Sequence, residues 1–204
     1  MSNLTLASRV WPASSSNLLR NVVLAIAGSL LVAAAAQITI PGWPVPFTLQ
    51  TLAVLAIGAA YGSRLGAATL GLYALEGAVG LPFFAGGKSG LFDGKLDYLL
   101  PASSMGYVLG FILAAWLVGK LVESGWANSW LKRAIAALAG AVLLYVPGLI
   151  WLAIWASKTG VVPDGQTAMG AALAWGLYPF VLSDVIKALI AGLGVPALAN
   201  LFRK

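Results

Sequence analysis

Six apolar segments, of which the second and third are shorter than a full membrane crossing, restrict the folds open to this chain. They cover residues 18–38, 48–61, 65–79, 103–122, 131–155 and 168–201. About 20 helical residues cross the hydrocarbon core of a bilayer. The last segment is too long for one straight span, so a break is expected near Tyr178-Pro179, with Gly192 to Pro196 as a second weak point. The pattern predicts an all-α polytopic membrane protein, a bundle of six transmembrane helices.

Composition supports this fold class and excludes several kinds of chemistry. Hydrophobic residues make up 60% of the 204 residues, charged residues only 9%, and the mean hydropathy is +0.92. Soluble domains carry about 25% charged residues. The chain contains neither cysteine nor histidine, which excludes disulfides, thiolate or imidazole metal sites and a histidine base. We expect no metal and no cofactor.

The basic residues predict the orientation in the membrane. With six spans and a cytoplasmic N-terminus, the inner side would hold Arg9, Arg20, Arg64, Lys120, Lys132, Arg133, Arg203 and Lys204, and the outer side Lys88, Lys95 and Lys158. Such a bias is typical of cytoplasmic loops, so the net charge of +6 indicates topology and not nucleic-acid binding. Residues 1–204 then form one integral-membrane domain in the cytoplasmic membrane, with both termini and the tail 1–17 inside.

One alternative concerns the first segment. Arg20, the apolar run 22–32 and Ala33 to Ala36 also fit a cleavable signal peptide. Removing this segment would spoil the charge bias of the remaining five spans. We therefore prefer a permanent first helix.

The stretch "FFAGGKSG" at 83–90 resembles the end of a phosphate-binding loop. That motif needs a further glycine five positions before the one that precedes the lysine. Here Pro82 occupies that position, and proline lacks the N–H and the backbone freedom of such a cradle. We predict no ATP site in this chain.

Apart from the basic residues at the segment ends, which are assigned to the inner side, three charged residues lie inside the apolar segments: Glu76, Asp184 and Lys187. Charges within a span are costly and are therefore functional candidates. Asp184 and Lys187 are three residues apart and share a helix face. They either neutralise each other so that the helix inserts, or bind a ligand that offers both hydrogen-bond donors and a carbonyl or carboxylate. Glu76 fits an interfacial position better.

Two loops and one helix face have unusual content. The stretch "ITIPGWPVPFTLQTL" at 38–52 suits a stiff pocket wall or an interfacial aromatic belt. The glycine-rich loop after Gly80 suits a mobile lid or a simple connector. In the first segment, Ala25, Ser29 and Ala33 recur at four-residue spacing, a pattern typical of close helix packing, within this chain or against another protein.

The motifs "TLQTL", "GLPFFAGG", "GYVLGF" and "PFVLSDVIKALIA", in this order, resemble the BioY family, the biotin-binding S components of energy-coupling factor (ECF) transporters. The resemblance covers residues 38–191. It departs from the family where Pro101 to Tyr107 replace a "GPTGGY"-like run and where Leu182-Ser183 replace Pro-Gly. The stretch 91–100 is also longer and more charged than expected.

The resemblance implies high-affinity capture of biotin by six helices around an outward-opening pocket, for uptake with a transmembrane coupling protein and a pair of ATPases. It implies ligand contacts from Asp184 and Lys187, without deciding which end of biotin each meets, and places the small-residue face (Ala25, Ser29, Ala33) against the coupling protein. A homo-oligomer is compatible with the sequence. Further predicted ligand-contacting residues are Trp43, Phe47, Thr48, Gln50, Tyr73, Gly80, Phe83, Phe84 and Tyr107.

Two other functions remain as alternatives. An S component or transporter for another small vitamin-like solute would need similar residues. A membrane hydrolase would need a nucleophile and a base, for which Ser183 and Lys187 have suitable spacing. Asp184 beside the lysine would keep it protonated, so we do not expect an enzyme.

Overall fold

The computed structural model describes residues 5–7, 17–90 and 102–201. Most of the predicted tail 1–17 and the charged stretch 91–100 lie outside the described residues. The described part is built from helices with one short hairpin, which confirms the all-α prediction. The helices are α1 (Asn17–Gln37), α2 (Gln50–Tyr61), α3 (Ser63–Ala78), α4 (Met105–Glu123), α5 (Trp130–Thr159), α6 (Ala168–Gly176) and α7 (Val181–Leu201).

The helices differ in their ability to cross a membrane. In the described part of the chain, α1, α4 and α5 are long and apolar enough to span it, and α6 and α7 add a fourth span if this pair, bent by 54°, is one broken helix. Helix α2 has 12 residues and α3 has 16, fewer than a straight crossing needs. The chain is a multi-pass membrane protein, whereas the count of six spans and the sidedness of the termini stay predictions.

The predicted break in the last segment is confirmed. Helix α6 ends at Gly176, and α7 begins at Val181, so Pro179 lies between them. Proline has no N–H to donate and clashes with a preceding helical turn. The predicted weak point at Gly192 to Pro196 does not interrupt α7. The break puts Asp184 in the first turn of α7, where the helix dipole favours a negative charge.

A two-stranded hairpin joins α1 to α2. Strand β1 (Thr39–Ile40) pairs antiparallel with β2 (Phe47–Thr48), with Ile40 opposite Phe47. The intervening residues 41–46 contain three prolines, which limit backbone freedom. The hairpin therefore holds this loop at the end of the bundle.

Glycines bring α4 and α5 into close contact. A Cβ on Gly110 would lie 2.9 Å from the Cα of Leu144 and closer still to its carbonyl oxygen. A Cβ on Gly106 would overlap α5 at Pro147 and Trp151 in the same way. We call the contact of Gly106 and Gly110 with α5 the glycine seam. It fixes the distance between α4 and α5, because a larger residue at either position would force the two backbones apart.

The small-residue face of α1 is used within the chain. Ser29 is fully buried and Ala33 nearly so, while Ala25 is half-buried. Gly28 on the same helix lies against Thr69 of α3. The structure thus favours internal packing over docking of another protein at this face, because the neighbouring helices already cover it.

We predict that Gly110→Ala destabilises the protein while Gly71→Ala does not. The added methyl group at 110 meets the α5 backbone, and overpacking of this kind costs about 1–3 kcal/mol. At Gly71, within α3, a Cβ meets nothing within 4 Å, and alanine has the higher helix propensity. Thermal unfolding in detergent measures both. Equal midpoints for the two variants would contradict the close approach at the seam.

Candidate ligand-binding site

A cavity of about 290 Å³ lies among the helices and the two loops. This volume is close to the lower end of the range for small-molecule sites, about 300–1,000 Å³. Its walls combine aromatic and aliphatic side chains with a few polar groups. They comprise Pro44, Val45, Pro46, Thr48, Gln50, Thr51, Tyr73, Phe84, Ala85, Lys88, Gly90, Ala102, Ser103, Ser104, Met105, Tyr107, Val108, Phe111, Leu144, Tyr145, Gly176, Phe180, Asp184 and Lys187.

The acidic group of the cavity is held from two sides. Lys187 Nζ donates to Asp184 Oδ1 at 2.7 Å, and the Tyr145 hydroxyl donates to Asp184 Oδ2 at 2.6 Å. The aspartate is 5% exposed, and the lysine side chain 13% exposed. Because a helix turn brings residues 184 and 187 together, the pair depends only on α7, whereas Tyr145 reaches it from α5.

The triad of Asp184, Lys187 and Tyr145 retains hydrogen-bonding capacity for a ligand. Each carboxylate oxygen of Asp184 has a second lone pair, and the ammonium of Lys187 has two further N–H donors. The site therefore offers acceptors and donors side by side in a buried setting. A neutral group with adjacent N–H and C=O functions matches it.

A second polar cluster extends from α2 to α3. Gln50 Nε2 donates to the Tyr73 hydroxyl at 2.7 Å, and that hydroxyl donates to the carbonyl of Phe83 at 3.2 Å. Thr48 Oγ1 donates to Gln50 Oε1 at 3.1 Å. Gln50 is 5% exposed, and Tyr73 is fully buried. These bonds fix the orientation of the Gln50 amide at the cavity wall.

Aromatic rings form much of the remaining wall. Tyr107 and Tyr145 pack edge to face with centroids 5.9 Å apart, and Tyr73 and Phe84 do so at 5.8 Å. The Tyr107 hydroxyl donates to the carbonyl of Gly176 at 2.9 Å. The ring of Tyr107 also lies against Gly148, where a Cβ would overlap it. Tyr107 is thus held by α5 through its ring and by the last residue of α6 through its hydroxyl.

The structure brings most predicted site residues to the cavity, but not all. Thr48, Gln50, Tyr73, Phe84, Tyr107, Asp184 and Lys187 line it.

Four predicted residues lie elsewhere. Trp43 is 67% exposed and packs on Trp155 and Trp175, while Phe47 stacks on Phe180 behind the wall. Phe83 contributes its carbonyl to the Tyr73 hydroxyl. Gly80 turns the chain after α3 with φ of 113°.

Sequence reasoning missed Tyr145 and Lys88. A tyrosine in a buried helix needs a partner for its hydroxyl, and this rule would have drawn attention to Tyr145 within its apolar run. Lys88 was considered only as an outer-side basic residue and as part of a nucleotide motif. The partner of Tyr145 lies 39 residues away, so only the packed structure reveals it.

The hydrolase alternative finds no support in the geometry. The Ser183 hydroxyl donates to the carbonyl of Phe180 at 3.0 Å, whereas Lys187 donates to Asp184. The serine therefore bonds to its own helix backbone, and the lysine is committed to a carboxylate.

The sequence model of the BioY family matches residues 5–204. The chain is 33% identical to the biotin transporter BioY of Thermotoga maritima over 175 residues, covering 86% of this chain and 93% of that protein. It is 33% identical to the biotin transporter BioY of Rhodobacter capsulatus over 193 residues, covering 89% and 94%.

A solved structure shares the fold. The crystal structure of the S component for biotin from an ECF-type ABC transporter superposes with a TM-score of 0.72 over 92% of this chain and 95% of that chain, at 20% identity. The family match extends from residue 5 to the end of the chain and includes every residue that lines the cavity. On this evidence, the chain belongs to the BioY family.

Proposed function

We propose that this protein captures biotin and mediates its uptake across the cytoplasmic membrane as the S component of an ECF-type transporter. The observation that carries the proposal is the buried Asp184–Lys187–Tyr145 triad in the wall of the cavity. A self-neutralising ion pair needs no cavity beside it. Membership of the BioY family and the relatives' names support the choice of ligand.

The chemistry of biotin suits the cavity. Its ureido ring has two N–H donors and one carbonyl acceptor, which complement the free lone pairs of Asp184 and the free donors of Lys187. Its fused sulfur ring and aliphatic tail suit apolar walls such as Phe111, Leu144 and Phe180. The Gln50 amide adds a fixed polar contact.

Uptake against a gradient requires free energy from another source. The chain carries no complete phosphate-binding loop. We therefore propose that it works with a transmembrane coupling protein and a pair of ATPases. The family and the shared fold support this arrangement. Its docking surface would be a face other than the buried side of α1.

A second candidate is an S component for another small vitamin-like solute. The same triad would accept other rings with adjacent N–H and C=O groups.

We therefore predict that calorimetry on purified protein shows tight binding of biotin, which excess thiamine or riboflavin does not displace. Displacement by either vitamin would favour this second candidate over biotin.

We predict that Lys187→Ala weakens biotin binding by 30-fold or more. Removing one partner of a desolvated charge pair costs about 2–5 kcal/mol, and 1.4 kcal/mol is about tenfold. Asp184→Asn, which keeps the shape of the side chain, should also weaken binding. Lys158→Ala serves as the matched control, because that lysine does not line the cavity. Unchanged affinity in both site variants, with normal unfolding midpoints, would contradict the role of the pair.

We predict that Tyr145→Phe lowers biotin affinity by about 5–150-fold. The variant keeps the ring but leaves Asp184 Oδ2 without its 2.6 Å bond, and an unsatisfied buried acceptor costs about 1–3 kcal/mol. Tyr178→Phe is the control, since that residue is 65% exposed and does not line the cavity. If both variants bind biotin like the wild type, Tyr145 does not organise the site.

A further inference from the structure

The charged residues of the cavity wall do not balance. They are Lys88, Asp184 and Lys187. Asp184 and Lys187 form an ion pair at 2.7 Å and cancel. Lys88 makes no ion pair with any residue in the described ranges. Among the described residues, the wall therefore carries one positive charge without an ion-pair partner, which a ligand with a single negative charge would neutralise.

The backbone that carries Lys88 is firmly held. The Phe84 N–H donates to the carbonyl of Lys88 at 2.9 Å, across a tight turn in which Gly86 and Gly87 have φ of 71° and 73°. Positive φ favours glycine. The turn is tied to α3 by Gly90 N–H to the carbonyl of Gly77, at 2.8 Å.

The same turn is also tied to α1. Gln37 Nε2 donates to the carbonyls of Phe84 and Pro82 at 3.3 and 3.4 Å. Together with the bond to α3, these contacts anchor both ends of the turn. Lys88 therefore projects from a fixed position in the cavity wall and not from a free loop.

The two charged sites differ in depth. Asp184 is 5% exposed, whereas Lys88 is exposed to solvent while still lining the cavity. Lys88 thus stands at the rim, and the triad lies in the interior. A ligand that fills the cavity would meet the triad with one end and Lys88 with the other.

We propose that Lys88 forms the carboxylate subsite of this cavity and selects for ligands with a free, ionised tail. The inference rests on the proposed function and deepens it. The biotin carboxylate is the ligand's single charge and pairs with the lysine of the wall that has no ion-pair partner within residues 17–90 and 102–201. The neutral ureido ring then binds the Asp184–Lys187–Tyr145 triad, because Asp184 would repel a negatively charged group at that end of the cavity.

The consequence is discrimination by charge at the tail. Biotinamide and biotin methyl ester have the same ring and nearly the same length as biotin, but they lack the charge. They lose the interaction with Lys88 and keep the interaction with the triad. Because Lys88 is exposed, salt screens its attraction, so this discrimination weakens as ionic strength rises.

The test is a binding comparison of biotin and biotinamide on wild type, Lys88→Gln and Lys88→Arg, by calorimetry in detergent at about 50 mM and 500 mM salt, a range over which the screening length falls several-fold. We expect Lys88→Gln to weaken biotin binding by about 3–5-fold, as for an exposed ion pair, and biotinamide binding by less than about twofold. Lys88→Arg should retain the preference for biotin. In the wild type, the ratio of the two affinities should shrink at high salt.

Lys158→Gln is the matched control. It removes the same charge from an exposed lysine that lies away from the cavity, on the membrane side that the charge pattern assigns also to Lys88. Its affinities should match those of the wild type. A loss in this variant equal to that in Lys88→Gln would show a general field effect and overturn the subsite.

The remaining outcomes separate this inference from the proposed function. If the wild type binds biotin but Lys88→Gln weakens biotin and biotinamide equally, or weakens neither, the subsite is wrong and the function stands. If the wild type does not bind biotin, both are wrong.

Discussion

The ion pair between Asp184 and Lys187 is the interaction on which the rest of the site depends. A charged group in a membrane-embedded bundle is tolerated only with a partner, and here each member supplies the other's partner at 2.7 Å. The pair is placed by the break at Pro179, which starts a new helix just before it. Tyr145 and the wall of aromatic rings then enclose it. The deep end of the cavity thus follows from one interrupted helix.

Much of the architecture could be predicted from local patterns. The apolar segments anticipate the helices, because burial in lipid demands helical backbone hydrogen bonding wherever a chain crosses. Tyr178-Pro179 anticipates the break, because proline acts on its own turn. Asp184 and Lys187 could be found because few charges occur within the apolar segments, and their pairing needs only the geometry of a single helix.

The rest of the site depends on contacts between distant segments. Tyr145 meets Asp184 across 39 residues, and Tyr107 meets Gly176 across 69. Nothing local to Trp43 or Phe47 reveals that they lie outside the cavity wall, since an aromatic residue in a proline-rich loop suits either position. The same limit applies to the small residues of α1, which fit an internal or an external neighbour equally well until the helices are assembled.

The glycine seam between α4 and α5 has a consequence for the dimensions of the cavity. Tyr107, Phe111, Leu144 and Tyr145 all stand on these two helices and line the cavity, and the helices meet backbone to backbone at Gly106 and Gly110. The nearest atoms of α5 at these two glycines are backbone and Cβ atoms, which a change of rotamer does not move. The distance between α4 and α5 on this side of the cavity is therefore set by the main chain. A larger ligand would have to be accommodated on the opposite rim, by the β1–β2 hairpin and the turn from Phe84 to Lys88.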